Sequence, residues 1–113
     1  MMEYQKQHPE MRKMSMDEIN ARNRATAEVY GEDIIAECLI EKCSELIQAV
    51  SKYRRACGNG KPTKVSVQKA RENLAEEIAD VEASIYMYRY LVNITDEELS
   101  RWYEMKSVLQ HQA

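Results

Sequence analysis

The chain has no phenylalanine, a single tryptophan, three glycines and two prolines in 113 residues. A β sandwich needs Gly and Pro at many tight turns, so their scarcity argues against that class. Apolar residues make up 44% and charged residues 31%, a balance that suits amphipathic helices. The expected fold class is all-α, and a chain this short holds one core rather than two. No apolar run approaches the roughly 18 residues needed to cross a bilayer. The polar start Met1-Met2-Glu3-Tyr4-Gln5-Lys6 lacks the apolar stretch of a signal peptide. The sequence therefore reads as cytoplasmic, with no membrane partner. A basic excess is also missing: 16 Lys and Arg stand against 19 Asp and Glu, for a net charge of −3. Nothing in that field draws the chain to a nucleic-acid polymer, and an anionic ligand needs a local site.

Several chemistries lack their residues. The three cysteines, Cys38, Cys43 and Cys57, are odd in number, and the first two point in different directions on one helix. They read as free thiols rather than a disulfide framework or a zinc site. His8 and His111 lie near the termini without a partner at metal or triad spacing, so nucleophilic catalysis has no support. Gly58-x-Gly60-Lys61 lacks P-loop spacing and follows a helix, not a strand.

What is present is helical periodicity. Residues 1–14 show none and read as an N-terminal arm, disordered or partner-binding, ahead of one helical domain over 15–113. Ser15 with Glu18 forms a capping-box pattern that opens a helix over 16–30, stopped by Gly31. A long helix follows from Glu32 to Ala56, with Ile35, Leu39, Leu46, Ala49, Val50 and Tyr53 on one side. Gly58-Asn59-Gly60 ends it, and Lys61-Pro62-Thr63-Lys64 forms a short basic loop. Ser66 caps a helix over 67–93, whose stripe runs through Val67, Ala70, Leu74, Ile78, Val81, Ile85, Tyr88 and Val92. Thr95 with Glu98 opens a last helix carrying Leu99, Trp102, Tyr103, Met105 and Leu109. Two long and two shorter helices imply a four-helix bundle. Seven Met and seven Tyr spread over many faces would leave apolar surface exposed in a monomer, which points to a homodimer or homotetramer. Tyr86, Tyr88, Tyr90, Trp102 and Tyr103 read as core or interface rather than as base-stacking groups.

Four acids border the apolar stripes. With Ile35 at zero, Glu41 and Glu45 fall at about 240° and 280°; with Leu74 at zero, Glu77 and Asp80 fall at about 300° and 240°. Asn73 and Ser84 lie on the same side. Most helix carboxylates are simply solvated. Acids converging from two adjacent helices are costly to desolvate unless a cation compensates, and an all-oxygen set suits Mg²⁺ or Mn²⁺.

The segments Glu41-Lys42-Cys43-Ser44-Glu45-Leu46-Ile47-Gln48-Ala49-Val50-Ser51-Lys52-Tyr53 and Asn73-Leu74-Ala75-Glu76-Glu77-Ile78-Ala79-Asp80-Val81 carry a resemblance. They look like the two signature helices of the MazG-like all-α nucleoside triphosphate pyrophosphohydrolases, particularly the short single-domain forms of phages and prophages. The resemblance spans roughly residues 29–108. It implies a Mg²⁺-dependent hydrolase in which acids of Glu-Glu-x-x-Glu and Glu-x-x-Asp hold the ion against the phosphates while water attacks the α-phosphorus. The products would be a nucleoside monophosphate and pyrophosphate. Residue by residue, it assigns catalytic and metal-binding roles to Glu41, Glu45, Glu77 and Asp80.

Lys42 departs from that pattern, standing where the family has the second Glu of the first pair. It falls in the middle of the apolar stripe. Either its ammonium takes the cation's place, leaving a catalytically impaired module that binds nucleotide or protein, or its stem snorkels outward and Glu41 supplies the missing oxygen. For phosphate contacts, Lys52, Arg54, Arg55, Lys61 and Lys64 cluster at the end of the second helix and in the following loop; Lys52 and Arg55 are the candidates taken. Cations at a helix C-terminus also suit the helix dipole without any ligand. Lys106 resembles a Lys that follows the second motif in this family, although Leu109 stands where an Arg is usual.

Overall fold

A computed structural model describes residues 14–112 of the chain. The expected arm over 1–14 lies outside these apart from Met14, and so does His8. The described residues are all-helical, in three elements: α1 (Met16–Ala56), α2 (Val67–Val92) and α3 (Asp96–Gln112). Four separate helices were expected; the first two join into α1, with the expected break surviving as a bend at Gly31. Gly31 has φ 83° and ψ 172°, a conformation open essentially to glycine alone. A straight 41-residue helix would be about 61 Å long, yet the molecule's greatest extent is 47 Å. The bend is therefore large.

Side-chain pairs show how α1 folds against α2. Arg24 meets Tyr86 and Glu28 meets Tyr90, so the 16–30 stretch runs in the same sense as α2. Beyond Gly31 the order inverts, since Glu32 meets Tyr88 and Lys42 meets Asp80. The 32–56 stretch and α2 thus form an antiparallel hairpin closed by residues 57–66, with 16–30 laid against its open end.

The termini are fixed by local chemistry. Ser15 Oγ accepts from the Glu18 N–H at 3.1 Å and Ser66 Oγ from the Lys69 N–H at 3.1 Å. Thr95 and Glu98 form a complete capping box, with Glu98 N–H donating to Thr95 Oγ1 and Thr95 N–H to Glu98 Oε1. Asn93 closes α2 in the left-handed region at φ 61°, and Ile94 N–H returns to the Arg89 carbonyl.

The core is small. Among the described residues its buried apolar members are Ala27, Ile35, Ala49, Ala70 and Val81, joined by Ser84, and no large side chain is fully enclosed. Alanines at the contact let the helices approach closely but remove little apolar area from water. Part of the expected stripes therefore stays outside: Val50, Val67, Ile78, Ile85 and Val92 are exposed along a flank. Likewise α3 packs on neither α1 nor α2, so Trp102, Tyr103, Met105 and Leu109 remain exposed. An ion pair from Arg89 to Asp96 ties its first turn to α2. The radius of gyration is 17.1 Å, against about 13 Å for a compact 100-residue domain.

Candidate metal centre

One carboxylate on α1 and two on α2 converge midway along the hairpin. Glu45 lies on the flank of the packed line through Ile35 and Ala49, and Glu77 and Asp80 on the matching flank of α2. In an antiparallel pair these flanks face the same side, so the acids meet. Carboxylate oxygens of Glu45, Glu77 and Asp80 all lie within 4.8 Å of one another. Each side chain is half-buried.

Lys42 completes the cluster. Its Nζ lies 3.5 Å from Glu45 Oε2 and 3.8 Å from Asp80 Oδ2. The charges of Glu45 and Asp80 push the Lys42 pKa above its ordinary value, against a smaller desolvation effect, with the Glu45 hydrogen bond and the more distant Glu41 adding to the rise. Of the two expected arrangements for Lys42, the side chain takes the inward one. Glu41 is exposed along a shallow groove that it shares with Glu45, Ile40, Ser44 and Gln48, and is not among the converging oxygens. The structure brings three of the four expected acids together and leaves Glu41 one turn before Glu45, about 40° farther from the packed line.

Glu77 is the least comfortable member. Its Oε2 is buried without a hydrogen-bond partner. Desolvation pushes its carboxyl above the usual range; the hydrogen bond with Glu45 and the charges of Glu45 and Asp80 add to this, and Lys42 partly offsets it. An orphaned carboxylate oxygen beside two further carboxylates is a donor set suited to a hard divalent cation. Of the flanking polar residues, Asn73 is half-buried and Ser84 sits in the core.

The candidate phosphate-binding residues scatter. Lys52 lies two turns beyond Glu45 on the same face, about 10 Å along the axis. Arg55 is half-buried with its Nε unpartnered, and it lines a groove of about 430 Å³ with Arg54, Asn59, Gly60 and Lys61. Arg54 projects from the opposite face of α1 to Glu45. Lys106 rides on α3, which no packing brings toward the cluster. Cys38, Cys43 and Cys57 are free thiols, as expected.

Sequence reasoning missed a polar clasp. Arg24 Nη1 donates to Tyr86 Oη at 2.6 Å, Tyr88 Oη to Glu32 Oε1 at 2.9 Å, and Tyr90 Oη to Glu28. The signal available was the alternation Tyr86, Tyr88, Tyr90, which spreads phenols around α2 rather than along one stripe.

No family model matches the chain, and no curated protein or solved structure does. Among the described residues, no helix is long and apolar enough to cross a membrane.

Proposed function

We propose that the protein is a cytoplasmic, Mg²⁺-dependent nucleotide pyrophosphohydrolase built on a MazG-like helical bundle and working as a homo-oligomer. The observation that carries this reading is the convergence of Glu45, Glu77 and Asp80 within 4.8 Å, around an oxygen of Glu77 that has no partner. These three side chains would hold Mg²⁺, or Mn²⁺ in its place. Bound there, the ion supplies positive charge against the phosphates and makes a coordinated water more acidic. The chain's own residues supply the rest. Without the ion, Glu77 with its raised pKa is disposed to hold a proton, which it would give up on binding the ion. Lys42 is only half-buried, so its ammonium can leave Glu45 and Asp80 for a phosphate oxygen. Lys52, farther along the same face, lies in reach of a polyphosphate tail.

The Lys42 bridge itself favours a second reading, in which the ammonium permanently fills the cation's place and the protein is an impaired module that binds nucleotide or protein. Incubation with a panel of nucleoside triphosphates, with and without Mg²⁺, separates the two. The enzyme releases pyrophosphate and a nucleoside monophosphate; the module releases neither. Orthophosphate with a nucleoside diphosphate would refute α-phosphorus attack.

A further inference from the structure

The cations of this chain are gathered at one end. Residues 46–71 carry seven of its 16 Lys and Arg and none of its 19 Asp and Glu, which leaves nine cations against all the acids elsewhere. That stretch is the closed end of the hairpin: the last turns of α1, the loop 57–66 and the start of α2. Helix dipoles account for little of this. Arg54 and Arg55 stand at the C-terminus of α1, where cations are usual, yet the carbonyls of both already accept, from the Asn59 N–H at 2.9 Å and the Gly58 N–H at 3.0 Å. The start of α2 favours acids, and its first turn has none.

Within that end the fold makes a concave site. Gly60, at φ 78°, turns the loop back along α1, and a Cβ there would lie 3.9 Å from Arg55 Cγ. Between loop and helix runs the groove of about 430 Å³, a volume within the range of small-molecule sites. Arg54, Arg55 and Lys61 line it with Ser51 and Asn59, and no carboxylate among the described residues does. Its apolar wall is Ile47 and Val50, 71% and 43% exposed. Arg55 Nε is shut off from water and has no hydrogen-bond partner among the described residues. A dry guanidinium donor beside two further cations calls for an anion. Arg54 lies nine residues beyond Glu45, about 14 Å along the axis and half a turn around it, so a ligand held here does not touch the acidic cluster.

We infer that this groove binds a small organic phosphate ester. Arg54, Arg55 and Lys61 take the phosphoryl oxygens, Arg55 through its dry Nε, and the ester's apolar part lies on Ile47 and Val50. A guanidinium fork matches phosphate geometry, and three cations suit a dianion better than the single charge of a carboxylate. A nucleic-acid strand would instead draw on the whole basic end, with Lys64, Lys69 and Arg71 contributing as much as the groove.

The test uses metal-free protein in EDTA, where the acidic cluster repels anions and binding reads the groove alone. In an amide-shift NMR titration, inorganic phosphate should move the resonances of Arg54, Arg55, Gly60 and Lys61, and phenyl phosphate should bind about fivefold more tightly through Ile47 and Val50. Ile47→Asn should remove that advantage and leave inorganic phosphate binding as it was. Arg54→Gln, at an exposed position, should weaken both ligands about tenfold; Arg55→Lys, which keeps the charge and drops the Nε donor, should do the same. Lys64→Gln removes equal charge outside the groove and should change either Kd by at most about twofold. No shift with phenyl phosphate, shifts centred on Glu45 and Glu77, or equal losses from Lys64→Gln and Arg54→Gln would overturn the inference. So would a single-stranded oligonucleotide that binds more tightly than phenyl phosphate and displaces it, which would make this end a nucleic-acid face. Neither metal nor turnover enters the experiment, so its failure is distinct from failure of the metal centre.

Discussion

Replacing Lys42 tests the metal centre directly, because one ammonium holds two of the three proposed ligands. Its Nζ lies 3.5 and 3.8 Å from Glu45 and Asp80. Unscreened at an effective dielectric of 20, each pair is worth about 4–5 kcal/mol. The side chains are 34%, 36% and 40% exposed, so solvent reduces each to roughly 0.5–1 kcal/mol. A divalent ion entering the site must give up both pairs, a cost of roughly 1–2 kcal/mol or about 5- to 30-fold in Kd. Lys42→Met removes that competition at similar side-chain length and should tighten Mn²⁺ or Mg²⁺ binding by that factor. Lys42→Glu adds an oxygen as well, and should tighten it further and raise turnover. Both variants crowd uncompensated acids, so the metal-free protein should melt lower and recover on addition of metal. Calorimetric titration beside thermal unfolding, each with and without Mn²⁺, measures the two halves. Equal or weaker affinity in Lys42→Met would refute the competition and, with it, the placing of the ion among these carboxylates.

Other consequences follow from the same groups. A carboxyl whose pKa is raised by folding destabilises the native state at neutral pH, and this is relieved as pH falls toward the ordinary carboxylate range. Metal-free wild type should thus gain melting temperature from this group on mild acidification; Glu77→Gln should melt higher at pH 7, flatten that dependence and lose Mn²⁺ binding in a titration. Tyr88 and Tyr90 are held above their ordinary pKa first by their hydrogen bonds to Glu32 and Glu28, so their stabilisation is present below about pH 10 and lost above it. The double variant Tyr88→Phe and Tyr90→Phe should narrow the stability gap to wild type as a pH series enters that alkaline range. At Gly31 a Cβ would meet nothing within 4 Å. Gly31→Ala should therefore cost about 1–3 kcal/mol in denaturant unfolding through backbone strain alone; an unchanged midpoint would show that the bend is not held at that φ.

The helices and their ends were legible because they depend on neighbours in the sequence. Ser15, Ser66 and Thr95 each cap as their spacing requires, and Gly31 breaks the helix where it stands. Glu45, Glu77 and Asp80 were also legible, since helical angle alone puts them on facing flanks. Two features were not. A stripe such as Ile78 and Ile85 tells which side is apolar, but not whether this chain or another covers it. Periodicity likewise places Trp102 and Leu109 on a common helix without fixing where that helix goes after Asn93. Lys42 illustrates a third limit: angle put it in the stripe, and only distances distinguish an ammonium turned to Asp80 from one turned to water.

Trp102 is the chain's one tryptophan, and it stands 57% exposed on α3, the helix that packs on neither other. Its emission consequently samples α3 alone. Loading of the acidic cluster or loosening of the hairpin leaves the indole in water, and a blue shift arises only when something settles on α3. The phenols at Tyr86, Tyr88 and Tyr90 are tied into the hairpin and carry the complementary signal. The tryptophan channel thus reports on α3 alone, while the tyrosine channel, to which Tyr103 of α3 also contributes, carries the hairpin's signal, and each is read without adding a label.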